Sequence, residues 1–329
     1  MSKEARHHHY LPQCYLRGFL PKGENSSKIV VLDLKRKKYF ETGTRNIGGV
    51  KDFNRIKAEG LAPDSLENSL SSFEGQVATA LRDIENDKNL DNETTYAVIM
   101  NLIALVGIRH PVMRDRITDF HAQISKKLMG MNLVSKKRWE DTLQKMREDG
   151  VDIGEHISYE KMKEFFESGK YEITVPNETH FDLEFEGIDA ILPFLFNRKW
   201  ALILASQVTG PIITCDRPVS LTWQYPEKLP PIMRYSPGFG MKETDVVFPV
   251  SQNMALLGAF EIESEVINAD REFVASMNAN IMAFAVSQIY TPDLSFVFLD
   301  RRGTLKDGHS ILKSWVSEHP KQKGGDYDN

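Results

Sequence analysis

The sequence predicts an α+β chain: a mixed, largely antiparallel sheet with a central helical bundle. Three observations carry this expectation. β-branched and apolar runs lie near both ends of the sequence, amphipathic helical spacing fills its middle, and no Pro/Gly/Ser-rich linker divides the β-rich parts. They are therefore expected to join in one α+β domain over residues 1–320, with a helical insertion at about 63–170 and a disordered tail at 321–329.

Residues 12–20 open on Pro12 and end before Pro21, which predicts a short helix presenting Cys14, Tyr15, Leu16 and Phe19. The run 28–34 (KIVVLDL) reads as a strand, with 39–41 and 46–51 as its expected sheet partners and Gly48-Gly49 as a turn or bulge. Leu66, Leu70, Phe73, Val77, Leu81 and Ile84 follow the 3–4 spacing of an amphipathic helix capped by Asp64 or Ser65. Asn92 starts a second helix to about His110, apolar on most sides and hence central. Pro111 breaks it, and a third helix runs to about Leu128. Charge-rich peripheral helices fill 136–168, with a loop at 150–157. Beyond Tyr171 the texture turns to strands: 200–206, 212–215, 246–250 and 255–260. Gly210-Pro211 predicts an antiparallel hairpin between the first two. A Pro/Gly/aromatic loop covers 226–240, a helix 268–289 and a last strand 295–300.

Composition narrows the class. With 41% hydrophobic and 26% charged residues the chain has the usage of folded domains, which excludes disordered and collagen-like proteins. Two cysteines build no disulfide framework. No apolar run follows the first charges, and the stretch 96–108 falls short of the roughly 20 residues of a membrane span. The expected location is the cytoplasm, without a membrane partner. Net charge is −5, yet residues 1–60 hold 13 Lys/Arg against 6 Asp/Glu. The densest run, Lys35-Arg36-Lys37-Lys38, is the candidate patch for a nucleic acid or another phosphate-bearing ligand. The plainer reading is a solvated hairpin tip or a strand edge guarded by lysine.

Three side-chain groups point to chemistry. His7-His8-His9 clusters imidazoles, which ligate metals and transfer protons near neutral pH, although strand alternation lets at most two face one site. Asp216 follows an apolar strand and precedes Arg217-Pro218, a position that suits either a reactive carboxylate or a turn. Glu67 and Glu74 share a helix face at the margin of the apolar stripe, where paired carboxylates could hold a hard cation or act as acid and base. Arg109, at a helix end, either complements the dipole or clamps an anion. The string HHYLP is reminiscent of HNH nucleases, but no His follows His9 until His110, which excludes the simple form of that module. No phosphate-binding Gly-x-x-x-x-Gly-Lys-Ser/Thr loop and no Cys-x-x-Cys occur. Cys14 and Cys215 are read as small buried hydrophobes.

His8-His9-Tyr10-Leu11-Pro12-Gln13, followed by Tyr15-Leu16 and Phe19, resembles the HHYVPQ-x-YL-x-x-F opening of a bacterial family known as domain of unknown function 4238. Residues 213–219 (ITCDRPV) are similar to its ITSDNPV segment, 248–251 to its PLS segment, and Arg109-His110-Pro111 to its Arg-x-Pro. Cys215 and Arg217 depart from the family's Ser and Asn, so no hydroxyl role carries over to position 215. The resemblance spans about 7–290 and implies no particular reaction.

Two readings follow. In the first the protein is a hydrolase such as a metal-dependent nuclease or phosphodiesterase. His8, His9, Asp216 and Arg109 would be catalytic, and His9, Asp216, Glu67 and Glu74 would hold a divalent metal. In the alternative it is a non-enzymatic binding or regulatory module in stress or phage defence. There the histidines bond backbone groups while Tyr15, Leu16 and Phe19 anchor the segment.

Overall fold

The computed structural model describes residues 6–22, 27–56, 65–154, 157–234 and 237–318. The expected 321–329 tail and the candidate cap Asp64 lie outside them. In chain order the elements are β1 (His7–His9), α1 (Gln13–Leu16), β2 (Ile29–Asp33), β3 (Lys38–Thr42), β4 (Gly49–Lys51), α2 (Ser65–Asp87), α3 (Glu93–Ile108), α4 (Pro111–Asn132), α5 (Lys136–Glu148), α6 (Tyr159–Ser168) and α7 (Asn177–Phe196). There follow β5 (Lys199–Leu204), β6 (Thr214–Cys215), β7 (Ser220–Trp223), β8 (Thr244–Ser251), β9 (Met254–Ala259), β10 (Val266–Asn268), α8 (Arg271–Phe284), β11 (Gln288–Thr291), β12 (Val297–Leu299), β13 (Leu305–Asp307) and α9 (Gly308–Glu318). The fold is α+β.

The chain divides into two compact units, one of residues 1–110 with 183–329 and one of residues 111–182. The first contains a five-stranded sheet, β10-β5-β9-β8-β7, in which only the β10–β5 pair is parallel. Its other large sheet, β3-β2-β11-β6, is antiparallel and joins strands from both ends of the sequence. One core cluster gathers Tyr15, Leu16 and Phe19 with Ile99 and Ile103 of α3 and Phe248 of β8. Tyr15 stacks on Phe248 at 5.2 Å between centroids, and its hydroxyl meets the Thr214 hydroxyl at 2.6 Å. α3 is apolar nearly all round and accordingly buried. Asn92 caps it by accepting from the Thr95 amide at 3.0 Å. In the second unit, Leu133, Trp139 and Leu143 form a small core of their own.

Three expectations need correction. The segment ending in Lys51 does not extend the β2 sheet: β4 pairs with β1, His9 opposite Gly49. Gly48, at φ +63°, makes the turn that lets its carbonyl accept from both the Tyr10 and Leu11 amides. β5 and β6 do not form a hairpin: β5 pairs with β9 and β10, and β6 with β11. The helix expected over 268–289 ends at Phe284, and 288–291 enter the sheet as β11. Helix α7 lies in a stretch that the sequence reading passed over, where short polar and apolar groups mask its period.

Candidate functional site

β1 runs antiparallel to β4, and the chain beyond β4 brings Asn54 beneath the strand. Asn54 is fully buried and joins three of the elements around it. Its amide N–H donates to His8 Nδ1 at 2.8 Å, its side-chain nitrogen donates to Glu67 Oε2 on α2 at 2.6 Å, and its side-chain oxygen accepts from Arg109 Nη2 at 2.5 Å. Arg109 caps the C-terminus of α3 and is among the largest fully buried side chains. Its Nε donates to Glu184 Oε2 on α7 at 3.0 Å, and its guanidinium lies 5.5 Å from the centroid of Phe53. Glu184 is 3% exposed, so this is a desolvated ion pair held by an amide and an aromatic face. Tyr10 completes the wall, edge-on to His110 at 5.1 Å.

The hydrogen bonds fix the imidazole tautomers. A backbone N–H can only donate, so His8 Nδ1 is an acceptor and the neutral ring carries its proton on Nε2. Nε2 of His8 therefore offers no lone pair to a metal or to a proton. His9 Nε2 lies 3.1 Å from the Arg45 carbonyl, which can only accept, so this nitrogen too is protonated and the His9 lone pair sits on Nδ1. Burial pulls the His9 pKa below its ordinary value against the opposing pull of the Arg45 carbonyl, and Glu67 also acts on the ring electrostatically. Glu74 lies nearby: burial first, then Glu67, raise its pKa, while Arg17 opposes them.

Asp216, at the end of β6, lies within electrostatic reach of Tyr10, whose pKa burial first and then this carboxylate push up. Its Oδ1 accepts from the Val286 amide at 2.8 Å. Its Oδ2 accepts from the Ser287 amide and hydroxyl, each at 2.7 Å, and from the Gln288 amide at 3.0 Å. With four donors on two oxygens and 3% exposure, this carboxylate fastens the start of β11. It is neither open to a cation nor bonded to its own turn.

The structure thus brings His8, His9, Glu67, Glu74 and Arg109 to one region and gives Asp216 a different task. Among the described residues no group of three or more His, Cys, Asp or Glu is placed to hold a metal ion. Burial raises both thiol pKa values, that of Cys14 to about 11, so neither cysteine has thiolate character at neutral pH. The sequence reading missed Asn54 and Glu184. Asn54 carried no local signal, but Glu184, between Phe181 and Ile188 on an apolar face, was legible as a buried carboxylate in need of a cation.

The basic run occupies the turn between β2 and β3 and the start of β3, an edge strand whose Lys38, Tyr39, Phe40 and Glu41 are exposed. Among the described residues no single helix is long and apolar enough to cross a membrane.

No curated protein and no solved structure matches the chain. The family model described as "Protein of unknown function (DUF4238)" matches residues 7–294. These residues include the imidazole pair, Asn54, both halves of the Arg109–Glu184 ion pair and the Asp216 fastening. The chain belongs to the DUF4238 family.

Proposed function

We propose that the protein is a binding module whose amino-terminal histidine motif is architectural, and that it takes a phosphate-bearing polymer, a single-stranded nucleic acid, on the β2–β3 hairpin. The observation that carries this reading is the bonding of both imidazoles to backbone groups: His8 to the Asn54 amide and His9 to the Arg45 carbonyl. Tyr15, Leu16 and Phe19, all fully buried, anchor the same segment. The hairpin adds four consecutive cations beside the exposed rings of Tyr39 and Phe40, and cations with stacking surfaces suit an unpaired strand.

Two measurements test the reading. His9→Ala removes a half-buried hydrogen bond and is expected to cost about 1–2 kcal/mol in a denaturant or thermal melt. Because the folded His9 pKa lies below the unfolded value, this group leaves stability unchanged above about pH 6.5. As pH falls below that value the unfolded chain gains the proton first, and stability declines by at most about 1.4 kcal/mol per pH unit. That acid-side slope is reduced in His9→Gln. Chelator and added Mg²⁺ or Mn²⁺ leave both melts unchanged. In the second measurement a labelled single-stranded oligonucleotide, followed by anisotropy at low salt, binds at least tenfold more weakly to the Lys35→Gln/Arg36→Gln/Lys38→Gln variant. The slope of log affinity against log salt falls by about 2 for three lost cations.

One observation favours the hydrolase reading: Glu74 is buried at a cost beside Glu67, and Glu67 in turn is within electrostatic reach of the His9 ring. A melting temperature raised by Mn²⁺ in the wild type and not in Glu67→Gln would move the centre to that trio and refute the architectural assignment.

A further inference from the structure

Helix α4 presents two distinct faces, only one of them apolar. One holds Arg114, Thr118 and Met129. Arg114 lies 4.8 Å from the centroid of Phe181, Thr118 meets His180 at 3.3 Å, and Met129 packs on the small core of Leu133, Trp139 and Leu143. About a third of a turn away, at 100° per residue, runs the apolar stripe: Met113, Ile117, Phe120, Ile124, Leu128 and Met131. Phe120 is 61% exposed, Leu128 55%, Met131 52% and Ile124 41%. Met113 and Ile117 are half-buried, so the exposed part runs from Phe120 to Met131; scattered apolar residues on a surface need no explanation, but a contiguous stripe about 17 Å long does.

The spacing is 4, 3, 4, 4, 3, so that Met113 and Ile124, Ile117 and Leu128, and Phe120 and Met131 each lie eleven residues apart. An eleven-residue period keeps a seam nearly parallel to the axis of an α-helix, and it is the pattern of helix-on-helix packing. The stripe covers an arc of only about 80°, narrower than the apolar face of a helix lying in a lipid surface. Beside it stand Arg116 and Lys127 on one edge and His121 on the other, with no carboxylate among them. Neither Arg116 nor Lys127 makes an ion pair among the described residues. A second copy would bring its own cations to these edges and no partner for them.

We infer that this stripe of α4 docks an amphipathic helix of another protein, one whose apolar seam is bordered by glutamate or aspartate. This is independent of the hairpin and of the histidine motif.

The probe is a pair of fluorescein-labelled 22-residue peptides with the same eleven-residue leucine seam, one with glutamate flanks and one with lysine flanks. They are titrated with the full chain and followed by anisotropy. The glutamate peptide is expected to bind at least tenfold more tightly than the lysine peptide. Leu128→Glu, an exposed change whose helicity is checked by circular dichroism, weakens binding at least tenfold, and Lys127→Glu narrows the preference between the peptides. Absence of binding, or equal binding of the two peptides, overturns the inference. So does sedimentation showing that the chain dimerises through the stripe and that Leu128→Glu abolishes the dimer, or capture by vesicles of anionic phospholipid that the same variant abolishes.

Discussion

Arg109→Met is expected to lower the unfolding free energy by about 3–5 kcal/mol, measured by chemical denaturation. The guanidinium is 1% exposed and serves two buried acceptors, Glu184 Oε2 and the Asn54 side-chain oxygen. A methionine fills much of the volume but takes the Arg109 cation from the Glu184 carboxylate in a desolvated setting, which is the expensive half of breaking a buried pair. The double variant Arg109→Met/Glu184→Leu is therefore expected to be more stable than Arg109→Met alone, by a coupling of about 1–3 kcal/mol in the mutant cycle. If Arg109 instead served an anionic ligand, the single substitution would leave stability nearly unchanged and reduce binding. The pair also ties α3 directly to α7, with Asn54 and Phe53 against the same guanidinium, so loosening it is expected to speed amide exchange at the C-terminus of α3.

Asp216→Ala is the second large effect, at about 3–5 kcal/mol. Three amides and a hydroxyl lose their acceptor together, and each buried donor left unsatisfied costs about 1–3 kcal/mol before neighbouring groups or water compensate in part. The loss falls on the entry to β11, which lies between β2 and β6 inside its sheet. Hydrogen exchange is therefore expected to accelerate first at residues 286–291 and then in β2. Asp216→Asn repairs little, since its NH₂ group faces donors. A loss of stability with unaltered oligonucleotide binding is the expected joint outcome. Unaltered stability with lost binding would return Asp216 to the functional residues.

Much of this fold was legible along the chain because its elements announce themselves locally. The period of Leu66 to Ile84 gives α2, the Asn92 cap gives the start of α3, the β-branched runs give β2 and β8, and the apolar run 255–260 gives β9. Tyr15, Leu16 and Phe19 were legible as the residues that anchor the opening segment, and all three are fully buried. In none of these did the pattern depend on residues far away.

What the tertiary structure alone decided was pairing. Residues 288–291 continue a helical-looking run, yet they become a strand because an acceptor seventy positions earlier takes the amides that lead into it. The short strand 49–51 was free, on local grounds, to pair with β2. Its register with His7–His9 follows from the turn at Gly48 and from the burial of Tyr10 and Leu11 beside it. The reach of a hydrogen bond is about 3 Å in space and unlimited in sequence, so the partners of His8, Arg109 and Asp216 came only with the folded chain. Periodicity determines which faces are buried, whereas the identity of what they meet is set by the packing of the whole.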